Sequence, residues 1–229
     1  LEFRRVLFRS IPTHMSANVE AMAYRAGGGK RGKAQFERLI KLDGVLAVFS
    51  INIDALNTAD GYAAANKFLT TRKAMMIVDE SQRIKSMKAE RTKRTIRLGC
   101  LAVSRRIASG TPITNSPEDA YAQYEFLSPG GALLGHTSQR SFLAAHAQLL
   151  PPTHGLVRQL ARRGRLDVQI VATDSSGQKI WRNLDRLAAK MEAVSFRVRK
   201  SECLDLPEKI YTTIPFDLTK EQQRVYDKL

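Results

Sequence analysis

The chain has 229 residues and a mass of 25.6 kDa, room for one large domain or one and a fraction at about 100–200 residues per domain. Hydrophobic residues make up 43% and charged residues 26%, ordinary globular usage that excludes wholesale disorder. Thirty-seven Lys and Arg against 22 Asp and Glu leave a net charge of +15, which favours a polyanionic partner but specifies no fold. The longest apolar runs, residues 45–49 and 74–78, are far short of the ~20 residues that cross a bilayer, so no membrane segment is expected. Cys100 and Cys203 make no disulfide framework, and the four histidines never approach metal-ligand spacing. The compartment read from this is a reducing one, the cytoplasm.

Residues 1–10, LEFRRVLFRS, match one reading frame of a common short-read sequencing adaptor and are set aside as foreign. Without them the net charge is +13, since three positive charges and one negative charge are removed. A reading frame cut upstream of Ile11 is the expectation, and the helix-like sequence running to Leu229 suggests a second cut there. Residues 25–33 form a glycine-rich basic loop, followed by a short helix over 34–41. Residues 44–52 are nearly continuously apolar and β-branched, as in a strand buried on both faces of a parallel sheet. A helix over 60–70 follows, and residues 73–79 repeat the buried-strand pattern and end in acid. A charged helix over 86–98 and a short strand after Arg105 complete the order strand, helix, strand, helix, strand, the signature of βαβ units.

Beyond the turn at 109–114, Ser116 is a fitting N-cap and Pro117 a fitting first helical residue, with Glu118 and Asp119 in the first turn. Ala120, Tyr124 and Leu127 line one helical face. A hairpin is predicted around 175–177, and a helix bearing Leu184, Leu187, Ala188 and Met191 is capped by Asn183. Thr219 to Gln222 spells a capping box. The region 148–182 otherwise reads poorly, and no internal repeat is present.

Three local features carry candidate chemistry. The first is Met-Met-Ile-Val-Asp79-Glu80-Ser81-Gln82, an acidic pair at the carboxyl end of a parallel strand, where open α/β sheets bind ligands. There one carboxylate can hold Mg²⁺, usually through water, and the other can orient an attacking water; an ordinary polar strand end is the bland alternative. The second is Ser109-Gly110-Thr111-Pro112, a tight turn whose hydroxyls can bond the acidic pair from a neighbouring strand. The third, Gly27 to Lys33, fits G-x-x-x-x-G-K but is read as a solvated basic loop. No strand is predicted before it, Ala34 stands where Ser or Thr should meet Mg²⁺, and only one clear strand separates Lys33 from Asp79. The histidines read as surface or packing groups, and Trp181 as a core or interface anchor. The basic stretches 85–97 and 158–165 read as solvated faces.

In combination these motifs are recognisable. Val78 to Ser86 (VDESQRIKS) and Ser109 to Pro129 (SGTPITNSPEDAYAQYEFLSP) resemble motifs II and III of Swi/Snf-type ATPases among the superfamily-two helicases. Phe196 to Lys209 is similar to that family's Arg-x-Lys … Leu-Pro-x-Lys stretch, Thr219 to Tyr226 to its Gln-Arg-x-x-Tyr helix, and Val48 to Leu56 to the strand before motif II. The resemblance implies a partial RecA-like lobe over 11–130 in the α/β class, an incomplete parallel sheet flanked by helices. A helical insertion over 131–208 and the start of a second lobe over 209–229 would follow. It implies an ATP- and Mg²⁺-using, DNA-stimulated ATPase acting on DNA, in its duplex form. By position, Asp79 would hold Mg²⁺, Glu80 the attacking water, and Gln82, Ser109, Gly110 and Thr111 would couple nucleotide state to lobe movement. The phosphate-binding lysine is expected upstream of Ile11 and the arginine fingers beyond Leu229, so this chain alone should be inactive. Gln82 stands where many relatives have His, and Ser109 where Thr is frequent. The competing reading is a non-catalytic basic nucleic-acid-binding module, in which the acidic box has no role.

Overall fold

The computed structural model describes residues 18–165, 168–198, 212 and 215–227. The chain divides into two units between Val194 and Ser195.

The first unit opens with two β-α-β units. Strand β1 (Val19–Ala23), helix α1 (Gly29–Lys41) and strand β2 (Leu46–Ser50) form the first; the strands are parallel, with Val19 opposite Leu46 through to Ala23 opposite Ser50. Helix α2 (Ala59–Thr71) leads to the second, made of β3 (Met75–Asp79), α3 (Glu90–Gly99) and β4 (Ser104–Ala108). Here Met75 lies opposite Ser104 and Asp79 opposite Ala108. Parallel neighbours need a crossover, and α1 and α3 provide it. Met22, Leu39, Ile40 and Phe68 bury the first pair's inner face, with Phe49 stacked on Phe68 at 5.3 Å between ring centroids. Val78, Ile84 and Phe126 do the same for the second. The Arg72 guanidinium, at the end of α2, donates to the carbonyls of Leu42 and Val45 and ties that helix to the entry of β2.

Helices α4 (Glu118–Leu127), α5 (Gln139–His146), α6 (Gly155–Arg162) and α7 (Leu184–Glu192) follow. The core of this region is Tyr121, Tyr124, Leu134, Phe142, Leu143 and Leu187, with Trp181 half-buried against it. Helix α4 reaches the second β-α-β unit because Gly99 ends α3 without a side chain. A Cβ there would stand 2.7 Å from the Phe126 ring, and Phe126 is fully buried. The predicted hairpin is present: Thr173 bridges Lys179 in antiparallel fashion, and Asp174 caps the turn through Ser176 and Gln178. In the second unit, α8 (Lys220–Tyr226) carries the expected capping box between Thr219 and Gln222. Residues 199–211, most of the Arg-x-Lys … Leu-Pro-x-Lys stretch, lie outside the described residues, as do residues 1–17 and Cys203.

Short parallel pairs flanked by helices make this an α/β protein with an incomplete RecA-like sheet, as the sequence predicts. Several details differ. A strand, β1, occupies 19–23, where the sequence reads as helix-like; its residues Val-Glu-Ala-Met-Ala alternate only weakly, and pairing with β2 decides the outcome. Helix α1 begins at Gly29 rather than at Ala34. Strand β3 is not covered on both faces: Met75 and Ile77 are 52% and 58% exposed, because the described helices meet only the Met76 and Val78 side. Helix α4 starts at Glu118, with Pro117 in the capping position and no side-chain cap from Ser116.

Candidate functional site

Strand β3 delivers Asp79 and Glu80 to its carboxyl end with both side chains exposed to solvent. Glu80 then adopts φ 49° and ψ 52°, the left-handed region, which costs a residue bearing a Cβ about 1–2 kcal/mol. This sharp turn ends the strand and starts the short 3₁₀ turn Ser81–Ile84. It also sends successive side chains to different surroundings: Glu80 outward, Ser81 into the core with no exposure.

Two hydrogen-bonded chains run from this turn. In the first, the Thr111 N–H donates to Ser109 Oγ at 3.0 Å and the Ser109 hydroxyl donates to Gln82 Oε1 at 2.6 Å. The Gln82 amide N–H then donates to Glu80 Oε2 at 2.7 Å. The register brings these groups together, since Asp79 is opposite Ala108 and the next residue on each strand enters the site. An amide serves here because it accepts on oxygen and donates on nitrogen without changing charge. The predicted residues Glu80, Gln82, Ser109 and Thr111 thus meet in one relay, beside Asp79. Gly110 lies within the same turn, but its φ is not left-handed and a Cβ there would meet nothing within 4 Å. The strained backbone belongs to Glu80, and Gly110 shows none.

The second chain lies deeper, and sequence reading misses it. The Ser81 hydroxyl donates to Gln123 Oε1 at 2.6 Å, and the Gln123 amide donates to the carbonyls of Pro112 at 2.6 Å and Asp119 at 2.8 Å. Gln123 is fully buried and joins the acidic box to the Ser-Gly-Thr-Pro turn from α4. One turn earlier, the Asp119 carboxylate accepts from the N–H of Thr114, the N–H of Asn115 and the Thr114 hydroxyl. Lys85 donates to that hydroxyl at 2.6 Å and stands 3.6 Å from the carboxylate. Burial pushes the Asp119 pKa up, but the hydrogen bonds from Asn115 and Thr114, with Lys85, outweigh it and hold the carboxyl below its ordinary value. A lone glutamine on a helix whose other buried positions are mostly Ala, Tyr and Phe is the one signal that flags Gln123.

The glycine-rich loop is built differently. A strand does precede it, against the sequence expectation, and a groove of about 950 Å³ lies along it, lined by Tyr24, Gly28, Lys33, Phe36 and Asp60 among others. Helix α1, however, starts at Gly29, and the Gly32 N–H already donates to the Gly28 carbonyl. Gly32 and Lys33 therefore sit one turn inside a helix, with backbone N–H groups committed to it. In a phosphate cradle those N–H groups are free and a hydroxyl follows the lysine.

His136 and His146, scattered in the sequence, meet with Nε2 atoms 3.0 Å apart beneath Phe142. Burial, His146 and Lys190 hold His136 below its ordinary pKa. Burial and Glu125 push the nearby Tyr121 up to about 12. This pair stays in the helical region.

No group of three or more His, Cys, Asp or Glu among the described residues could enclose a metal. The acidic pair instead suits Mg²⁺, a hard cation held by one or two carboxylates with water and substrate phosphates completing its shell. The model of the SNF2-related domain family matches residues 9–229, and the chain belongs to that family of helicase-like ATPases. No curated protein matches it. No helix among the described residues is long and apolar enough to cross a membrane.

Proposed function

We propose that this chain supplies the magnesium-holding and water-positioning half of an ATP-driven motor that moves along or remodels duplex DNA. The observation that carries the proposal is the relay from Thr111 through Ser109 and Gln82 to Glu80. It joins the two motifs that the family uses for nucleotide response. A bound Mg²⁺ supplies charge neutralisation on the phosphates. Asp79 holds that hydrated ion, and Glu80 orients water and accepts its proton. The left-handed backbone keeps Glu80 aimed away from the core, and the Gln82 amide fixes one of its carboxylate oxygens, leaving the other for water. Ser109, Gly110 and Thr111 communicate the state of this site to the next strand, because a shift at Glu80 stretches a bond to Ser109. Residues 11–130 act as the partial first lobe, 131–208 as its helical insertion and 209–229 as the start of a second.

The only G-x-x-x-x-G-K in the sequence is Gly27–Lys33, whose second glycine and lysine are helical, so this chain alone turns ATP over at a negligible rate. The test is phosphate release from Mg·ATP with and without duplex DNA. It compares this chain with a form that also carries a strand–G-x-x-x-x-G-K-[ST]–helix segment. The longer form is expected to show DNA-stimulated turnover that Glu80→Gln abolishes. Turnover by this chain itself, lost at Glu80→Gln, would return a phosphate role to the glycine-rich loop. No turnover in either form would end the motor reading.

A further inference from the structure

The sequence contains two basic stretches that read alike, and the structure separates them. In the first, Arg83 and Arg91 are both bound to Asp54. Arg94 is engaged by Glu90 and the Leu56 carbonyl, Lys93 stands 4.0 Å from Glu90, and Lys85 is held by Thr114 and Asp119. These cations, Arg83 just ahead of the stretch included, serve the protein itself, and Lys88 and Arg97 are its exposed exceptions. In the second, Arg158, Arg162, Arg163 and Arg165 are all exposed, and none has an acidic or hydrogen-bonding partner for its side chain among the described residues. Arg158 and Arg162 are one turn apart on α6 and share a face. The other two are held in place by the helix end. The Gly164 N–H donates to the Ala161 carbonyl and the Arg165 N–H to the Leu160 carbonyl, with Gly164 at φ 80°. This is a Schellman stop, which fixes the backbone of the turn. The helix macrodipole favours a cation or two at this end, and it does not call for four.

We infer that these four arginines form a contact surface for the phosphate backbone of duplex DNA, an inference that rests on the DNA-motor reading above. Four guanidiniums on one helix and its fixed C-terminal turn complement a polyanion carrying one charge per about 1.7 Å of its axis, and guanidinium geometry suits phosphate oxygens in pairs. An anionic membrane fits less well. Helix α6 has eight residues and no aromatic side chain, and on its apolar side only Leu156 is exposed, with Val157, Leu160 and Ala161 half-buried.

The experiment is anisotropy of a labelled duplex titrated with this chain over a range of salt. Each arginine meeting one phosphate adds about 0.9 to the slope of log affinity on log salt. The R158Q/R162Q/R163Q/R165Q variant should therefore lower the slope by about 3 to 4, and the matching four-lysine variant should restore most of it. An unchanged slope in the glutamine variant, with the parent chain binding duplex, would overturn the surface and leave the DNA reading standing. No duplex binding by the parent chain at low salt would remove both. Loss of binding to phosphatidylserine vesicles with duplex binding intact would make this a membrane-facing surface and overturn the inference. Should the quadruple glutamine variant fail to fold, R158Q/R162Q decides: it should lower the slope by about 2, and an unchanged slope would overturn the surface.

Discussion

The two β-α-β units have the same architecture and opposite local chemistry. Each has a parallel pair with a crossover helix and a polar turn at the carboxyl end of its first strand. At β1 that turn spells a phosphate-binding pattern, yet among the described residues none of Arg25, Lys30, Arg31 and Lys33 has a side-chain partner, and the helix has already begun. At β3 the turn spells only an acidic pair, yet five side chains, Glu80, Ser81, Gln82, Ser109 and Gln123, interlock across two strands and a helix. Spacing in a string records which residues are near in sequence. Function needs groups held against one another, and only the second unit holds them.

The largest test of that contrast is at Gln123. Gln123→Leu strips partners from the buried Ser81 hydroxyl and Pro112 carbonyl, and at about 1–3 kcal/mol per orphaned group it should cost roughly 2–4 kcal/mol in urea denaturation. Adding Ser81→Ala should recover part of the loss, because one orphan disappears with it. A single variant as stable as the parent would mean the deeper chain holds nothing together.

Glu80 gives the next effect, in the opposite direction. Glu80→Gly relieves the left-handed backbone and should raise stability by about 1 kcal/mol, whereas Glu80→Ala should not. A thermal melt of both variants separates backbone strain from side-chain loss. Strained backbone of this kind clusters at functional sites, which accords with the role proposed for Glu80.

Acid should then distinguish the helical region from the site. His136 has its folded pKa below the ordinary 6.5, so the unfolded chain binds its proton first. Its stabilising share is complete above pH 6.5 and drains away as pH falls below it. Asp119 is below its ordinary 3.8, so its share is complete above that value and is lost only in stronger acid. His136→Gln should flatten the upper part of the stability profile and leave the lower part, and Asp119→Asn the reverse. One common transition for both variants would refute the assignment. The smallest effect is expected at the glycine-rich loop, where Lys33→Ala should change stability by less than about 0.5 kcal/mol and leave any nucleotide response untouched.

Much of this was legible before any coordinates. The run Met75 to Val78 ending in Asp79 announces a strand, and the Thr219 to Gln222 pattern a cap, because each depends on neighbours within a few residues. Asp79, Glu80 and the Ser-Gly-Thr turn are readable as candidates for the same reason, and Gln82 enters through the resemblance to motif II. Strand β1 was not, since Val-Glu-Ala-Met-Ala has no strong preference until β2 lies beside it. Asn183 does stand at the start of its helix, but its amide donates to the Ala145 carbonyl and does not cap that helix. The His136–His146 pair and the fate of the two basic stretches were hidden too, because a charge in a string does not say whether an acid from another segment will reach it.

The sequence by itself determined the α/β class, the order of elements from α1 onward and the residue types at the end of β3, all of which follow from local periodicity and turn chemistry. Tertiary structure decided that Gln82 spans from Glu80 to Ser109, that Gln123 locks Ser81 to the next turn, and that Lys33 is helical. It also left one arginine cluster free. The physical reason is range. Periodicity acts over one or two turns of chain, whereas a hydrogen bond or ion pair depends on separation in space, which the β3–β4 register and the packing of α4 alone establish.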